Sequence, residues 1–559
     1  MKAKAHRRSG ARGAVVWAVV LLALAVAGCK QSSSGGSSSS GSGSGSGAGS
    51  GGVAGKAPAA RERLVVHLEV EPAHLVYMLK PDAWAYRMTA HNLFEGLVRI
   101  DPRSKAFVPE LAESYSASKD GKRYTFKLRR GVKWHDGRAL TLHDVKFTFD
   151  RIFDPKVSAA STRASLSGFV DKVEVSGADT VVISLKQRSF YFLQALASVM
   201  ILPQHLMKSG DLNRHPLLRR PVGTGPYKFD SWKSGQRIRL TRFDGYWGKK
   251  PAIKDIEWRI VRSGDVALKL ARRGELSFLP RLQPNLIERT LRDAQLSSRF
   301  ARVRHTTPGT AYALFNCARA PLGDARVRRA LAQLLDMQTI IAKLMRNSVE
   351  RVPSLFWKGD PNFDASIGAP KFDPKAARAL LAEAGLRDRD GDGLLEAAKG
   401  KKPIKLTFLL PASSKTTRRW LAVYREALRK VGVTLEITPL EWATFLARVR
   451  EGAYDMAALG MQLAGPHTDL YLQLHSSQAK DGQNYGRFKN ARVDKLLVEM
   501  RQALSPERRK ALALELQKLL AREMPVIPLF SLSETGLVAK YVKGVYASDV
   551  WYQLRDWSL

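Results

Sequence analysis

Apolar residues along this chain follow two different periods, and the periods alternate from segment to segment. Leu64-Val65-Val66-His67-Leu68 is a short, nearly continuous apolar run of strand length. Tyr124-Thr125-Phe126-Lys127-Leu128 alternates large apolar with polar residues, the period of a half-buried strand, after the turn Lys119-Asp120-Gly121-Lys122. Val173-Glu174-Val175 and the run 180–185 flank Gly177-Ala178-Asp179, which predicts a hairpin. The segments 238–243 and 253–260 read as further strands, with Asp244-Gly245 as a turn between them. Helical spacing appears first after Thr141, which caps a helix carrying Asp144, Val145, Phe147 and Phe149. Val327, Ala330, Leu331, Leu334 and Leu335 form one stripe of a helix predicted over 326–345. Asp373-Pro374 opens a helix over 375–384 that stops at Gly385, and a helix over 417–431 precedes a strand over 434–438. The segment 506–523 is a long amphipathic helix ending ahead of Pro525. Strands and helices mix throughout without an internal repeat, so the fold class is α/β.

The first residues carry a different pattern. Lys2, Lys4, Arg7, Arg8 and Arg12 precede the apolar stretch 14–27, and Val26-Ala27-Gly28-Cys29 closes it with small residues. This is the order of a secretory signal peptide, 1–28. Its apolar part is shorter than the ~20 residues needed to span a bilayer. Ending at Cys29, it resembles a bacterial lipobox, whose cysteine thiol is acylated. The following 29–62 is almost wholly serine and glycine from Gln31 to Gly55 and has too few apolar side chains to fold. It is expected to act as a flexible tether between lipid and body. Lys30 after the cysteine resembles an outer-membrane address. The expected location is therefore an exported chain, lipid-anchored to a bacterial membrane and facing the periplasm or the cell exterior.

Length, charge and cysteine content narrow the body. The remaining 63–559 is long enough for two or three cores. No later run reaches transmembrane length, and the apolar patch 192–202 is interrupted by Gln194. Cys317 is the only cysteine besides Cys29, so no intrachain disulfide is expected and Cys317 reads as a small buried hydrophobe. The net charge is +40, a field that attracts anions. The basic residues are scattered among acids, however, as in Arg501, Glu507, Arg508, Arg509 and Lys510. They read as solvated faces, and nucleic acid is not an expected partner.

Candidate chemistry is sparse. In Trp134-His135-Asp136-Gly137 a histidine neighbours an aspartate, but adjacent residues of an extended segment point opposite ways and form no dyad. No G-x-S-x-G, H-E-x-x-H or paired-cysteine motif occurs, so no enzymatic activity is expected. Asp388, Asp390 and Asp392, with Gly393 and Glu396, have the oxygen spacing of a calcium loop at positions one, three, five, six and nine. Position twelve is Lys399 rather than the bidentate glutamate of an EF-hand. A calcium loop and a solvated acidic turn are the two readings. His467 and His475 are residue types that hold nickel or a metal chelate, but no third partner accompanies them, and ordinary lobe histidines are the alternative.

Several phrases together resemble the family of peptide- and nickel-type extracellular solute-binding proteins that feed ABC importers. They are His91-Asn92-Leu93-Phe94-Glu95-Gly96-Leu97, Pro109-Glu110-Leu111-Ala112-Glu113-Ser114-Tyr115, and the phrase from Leu128 to Gly137. Val222-Gly223-Thr224-Gly225-Pro226-Tyr227-Lys228-Phe229 is the most specific, with Phe243-Asp244-Gly245-Tyr246-Trp247 behind it. Asp324 to Leu331, 373–385 and Met524-Pro525-Val526-Ile527-Pro528-Leu529 follow in order. The resemblance implies a two-lobed periplasmic-binding-protein fold with an additional domain inserted in the first lobe. On this chain the first lobe would be 63–94, 220–304 and 530–559, the insert 95–219, and the second lobe 305–529.

The resemblance also implies a function without catalysis: capture of a peptide or related small solute by hinge closure, and its delivery to an ABC permease by a monomeric receptor. In dipeptide receptors of the family the strand corresponding to 454–461 runs into a Gly-Trp-x-x-Asp phrase whose aspartate pairs with the peptide ammonium. Here Met461 stands in the tryptophan place and Ala464 in the aspartate place, with Asp469 a few residues on. A buried charge left unpaired there costs about 2–5 kcal/mol. The family's carboxylate-binding arginine corresponds to the loop 411–419, which offers Lys415, Arg418 and Arg419. Trp357, Trp442, Tyr485 and Met461 are candidate apolar walls. Two other readings stay open: an envelope scaffold that kept the fold but lost transport, and a nickel-type binder of metal chelates.

Overall fold

The computed structural model describes residues 63–79, 82–397, 402–463, 465–480, 482–546 and 552–559; the leader, Cys29, the tether and Ala464 lie outside the described residues. Within it, one 11-stranded sheet runs through two lobes. From one edge the order is Thr434–Leu440, Lys405–Pro411, Met456–Gln462, Phe300–Phe315, Val526–Ala539, Phe278–Leu279, Arg63–Leu68, Asp255–Ile260, Arg237–Arg242 and Tyr227–Lys233, with Glu350–Arg351 pairing beside Val526–Ala539. Phe300–Phe315 and Val526–Ala539 are the long members, and they cross from lobe to lobe as an antiparallel pair. Their register shifts between Thr306 and Thr310 and again between Ala311 and Tyr312, so pairing is irregular where the lobes meet. The lobe boundaries expected at 304/305 and 529/530 fall inside these two strands.

Packing follows the strand periods. On Lys405–Pro411, Leu406, Phe408 and Leu410 join one apolar cluster while Leu409 joins another on the opposite face. Ala313 and Phe315 face the first cluster, Tyr312 and Leu314 the second. A sheet covered on both faces needs near-continuous apolar strands, which is why Leu406 to Leu410 and Ala311 to Phe315 are largely apolar. In the first lobe Leu64, Val66 and Leu68 share a single cluster with Phe126, Val181 and Phe192 of the inserted segment. That segment forms its own antiparallel four-stranded sheet, ordered Ala112–Ala117, Arg123–Leu128, Thr180–Leu185 and Val170–Ser176. The hairpin expected at Gly177 is present there, with Gly177 at φ 61°. Thr141 begins the helix Leu142–Phe153, and its backbone N–H donates to the Asp144 carboxylate at 2.9 Å.

One element differs from its sequence reading. The helix predicted over 326–345 is interrupted: Ala325–Gln333 ends, and a short turn, Met337–Thr339, leads into a π-helical turn, Ile340–Leu344. Asp336 is the cause, because its side chain accepts from the Thr339 N–H and caps a new start. Leu334 and Leu335 remain buried, so the apolar stripe survives the break.

The dispersed phrases converge at the root of the insert. The buried Glu95 carboxylate accepts from Thr224 Oγ1 at 2.9 Å, Tyr246 Oη at 2.8 Å and Trp247 Nε1 at 3.0 Å. Burial and the nearby Glu110 push its pKa up. Gly223 and Gly225 cross the backbone of Asn92 and Leu93 so closely that a Cβ on Gly223 would stand 1.9 Å from the Leu93 carbonyl oxygen. His135 Nδ1 accepts from the Gly223 N–H at 3.1 Å, so its Nε2 carries the proton given to the Gly225 carbonyl at 3.0 Å. Burial pushes this imidazole down to about 4. Asp136 turns instead to His205, 2.7 Å away, so the two neighbours serve different partners.

Candidate ligand-binding cleft

Strand direction locates the cleft. In the first lobe Arg63–Leu68 is parallel to Asp255–Ile260 and pairs in parallel with Phe278–Leu279. Phe278–Leu279 is antiparallel to Val526–Ala539, so all three run the same way as Phe300–Phe315, toward the crossing. In the second lobe Met456–Gln462 is antiparallel to Phe300–Phe315 and therefore also runs toward the crossing. Lys405–Pro411 and Thr434–Leu440 are parallel to it. Two sets of strand carboxyl ends thus point at one region from opposite sides. In open α/β sheets ligands bind outside the carboxyl ends of strands.

The expected site residues lie on the second lobe, but not all as one surface. Met461 near the end of its strand, Trp442 just after Leu440, and Tyr485 share a single apolar cluster. Trp442 and Tyr485 are half-buried there, and Trp442 stacks on Phe445 with centroids 5.6 Å apart. Lys415 and Arg418 are exposed in the first turn of the helix Lys415–Arg429, which follows the carboxyl end of Lys405–Pro411. Arg418 donates to the Ala412 carbonyl at 3.1 Å. Trp357 is fully buried, and its Nε1 donates to the Pro466 carbonyl at 2.9 Å, bracing the loop that follows Gln462. Asp469 sits in that loop with its carboxylate held by Arg501, at 2.7 Å from Nη2 and 3.0 Å from Nε. The same guanidinium stacks 3.9 Å from the Tyr471 ring. A ligand ammonium at Asp469 would have to displace Arg501.

The two histidines of this region do not form a pair. His475 Nδ1 faces Ser477 at 2.8 Å and its ring stacks on Tyr471 at 4.3 Å. His467 is buried between the rings of Phe107, 5.9 Å away, and Phe190, 4.7 Å away. Burial, reinforced by Arg509, pushes its pKa down to about 3. Asp388, Asp390, Asp392 and Glu396 gather on a separate loop of the second lobe.

A contact missed in the sequence joins the inserted domain to the second lobe. The Gln194 amide makes two hydrogen bonds with the backbone of His467: Nε2 donates to the carbonyl at 2.9 Å, and Oε1 accepts from the N–H at 2.9 Å. Tyr191 Oη donates to the Thr468 carbonyl at 2.9 Å, and the Phe190 N–H to the Arg501 carbonyl at 2.8 Å. Arg509 lies 3.3 Å over the Phe190 ring. On the far side Asp360 accepts from the Thr468 N–H at 2.6 Å, and its pKa is pushed up to about 6 by burial, against those hydrogen bonds. The loop Gly465 to Asp469 is thus held on one side by its own lobe and on the other by the insert. The signal for this was Gln194 itself, a lone amide in an apolar run.

These features define a two-lobed binding protein: two α/β bodies with facing carboxyl ends, joined by crossing strands. The family model for "Bacterial extracellular solute-binding proteins, family 5 Middle" matches residues 106–483, and the chain belongs to that family. The oligopeptide-binding protein AppA of Bacillus subtilis is 29% identical over 421 residues, 73% of this chain and 75% of its own length. The dipeptide-binding protein of Escherichia coli is 28% identical over 461 residues, 77% of this chain and 82% of its own. Among solved structures, AppA from Bacillus subtilis in complex with a nonapeptide superposes with a TM-score of 0.70 at 26% identity, covering 89% of this chain and 98% of that one. NikA from Brucella suis in complex with Fe(III)-EDTA, at 24% identity, shares the fold with a TM-score of 0.76, over 89% of this chain and 99% of that one.

Proposed function

We propose that this chain is the lipid-anchored receptor of an ABC importer for peptides. It captures its solute between the lobes, closes about the crossing strands, and hands the solute unchanged to a membrane permease. The observation that carries this reading is the opposed pair of strand carboxyl ends; a solute bound between them would touch both lobes only when they close. A ligand shifts a hinge only by its preference for one state, and burial between two lobes supplies that preference. Support for a peptide comes from the named relatives, and Trp442 and Met461, at the carboxyl ends of their strands, are the apolar side chains proposed to meet it. Absence of catalysis is part of the proposal, supported by the separate partners of His135 and Asp136. Anchoring rests on Cys29 and the small residues before it.

Because Asp469 is committed to Arg501, recognition does not depend on a free peptide ammonium. Calorimetry with matched peptides, free and N-acetylated, is expected to give dissociation constants within about threefold of each other, under 1 kcal/mol. Binding confined to the free-amine form would overturn that arrangement. Native mass spectrometry of protein from its own host tests the wider reading, with a trapped peptide expected. A trapped metal chelate in its place would redirect the assignment to the nickel-type branch.

A further inference from the structure

Away from the cleft, one cluster of ligand-type side chains stands on a loop of the second lobe. Asp388, Asp390, Asp392 and Glu396 each offer one carboxylate oxygen, and these atoms all lie within 4.8 Å of one another. The aspartates are exposed, but Glu396 is only 2% exposed. Its Oε2 accepts from the Arg389 N–H at 3.0 Å, while its Oε1 is buried without a hydrogen-bond partner. Among the described residues none of the four carboxylates is ion-paired with a lysine or arginine. A buried, unpaired carboxylate oxygen beside three like charges is costly unless a cation completes it. The position of Glu396 is fixed from outside the cluster, since its backbone pairs with Arg387 on both sides, at 3.2 and 3.0 Å.

We infer that this loop binds a calcium ion, with Asp388, Asp390, Asp392 and the inward Glu396 as carboxylate ligands. Four hard oxygen donors without sulfur or imidazole exclude the preferences of zinc and copper. A loop supplying several carboxylates suits the larger, geometrically tolerant calcium better than magnesium, which retains its waters. Glu396 at the ninth position takes the anchoring role that Lys399 cannot fill at the twelfth. Without that bidentate ligand the affinity belongs to the weak range of extracellular calcium modules, roughly 10⁻⁴–10⁻³ M. The ion braces the edge of the lobe, where the Leu395 N–H donates to the Gly432 carbonyl at 2.8 Å just before the strand Lys405–Pro411.

The test is calorimetric titration of the chelator-dialysed full chain with calcium chloride, and separately with magnesium chloride. Expected are one calcium per chain, at least about tenfold weaker magnesium binding, and a melting temperature that rises with calcium. Asp390→Asn and Glu396→Gln should each weaken calcium binding about tenfold or more and abolish the thermal shift. Asp390 is exposed, so that variant should melt like the wild type in chelator; if it does not, Asp392→Asn, equally exposed, decides. No calcium binding up to ~5 mM, or binding indifferent to these variants, overturns the proposal. The outcome is independent of which solute the cleft takes.

Discussion

The Asp469 carboxylate and the Arg501 guanidinium share three short contacts while their side chains are only 21% and 13% exposed. Removing one partner leaves the other half-buried and unpaired. Asp469→Asn should therefore cost about 2–3 kcal/mol, somewhat below the loss for a fully buried pair. Denaturant midpoints read this directly, and adding Arg501→Gln should cost less than the sum of the single changes. His467 gives a pH dependence. Its folded pKa is lowered to about 3, so between its ordinary ~6.5 and 3 the unfolded chain binds more protons than the folded one. Its stabilising contribution is complete above about 6.5 and is lost progressively as pH falls toward 3. Phe107, Phe190 and Arg509 pack on the ring, the Gln194 amide binds its backbone, and Asp360 and the Asp469–Arg501 pair flank the loop. Midpoints measured from pH 7 to pH 4 should fall, and His467→Phe should make that fall shallower. An unchanged slope in the variant would remove His467 as its source.

At the scale of elements, close backbone approach separates glycines that must be glycine from those that need not be. A Cβ at Gly223 would meet the Leu93 carbonyl oxygen at 1.9 Å, between segments that root the insert. Gly223→Ala should cost on the order of 3 kcal/mol or more, because backbone on both sides must move. Gly168 ends the helix Ala160–Ser167 at φ −70° and ψ −18°, with nothing near where a Cβ would stand. Gly168→Ala should stabilise by about 0.4–1 kcal/mol through the unfolded chain. Thermal melts of the two variants should move in opposite directions. Helix starts and strand periods were legible where local chemistry sets them, as at Thr141 and Asp373. The break at Asp336 was not, since an apolar stripe continues through it and the competing cap is a single side chain.

For the whole molecule, the balance between open and closed lobes includes the Gln194 contact with the His467 backbone. Two hydrogen bonds contribute about 1–3 kcal/mol together, so Gln194→Ala should lower the closed population roughly 5- to 150-fold. Small-angle scattering of the ligand-free variant should show a larger radius of gyration than the wild type. Saturating solute should recover the compact form, since Trp442, Met461, Lys415 and Arg418 are unchanged. A radius unchanged by the substitution would mean that the crossing strands alone set the lobe angle.

What the sequence determined by itself was what neighbouring residues decide: the alternation of strand and helix, the caps, and the family phrases from His91 to Leu529. Trp442, Met461 and Tyr485 could be nominated as apolar side chains, but only the fold separates Trp442 and Met461, at or just past strand carboxyl ends, from Tyr485, whose carbonyl accepts from Tyr454 ahead of the strand Met456–Gln462. Partnerships across distance belonged to the tertiary structure. Asp469 meets Arg501 from 32 residues away, and Gln194 meets His467 from 273. Such pairs leave no period in the chain, because a side chain's charge or amide is the same whether it faces water, a ligand or another lobe. Only the closing of the sheet around two crossing strands chose among those, by fixing which backbones stand within hydrogen-bonding reach.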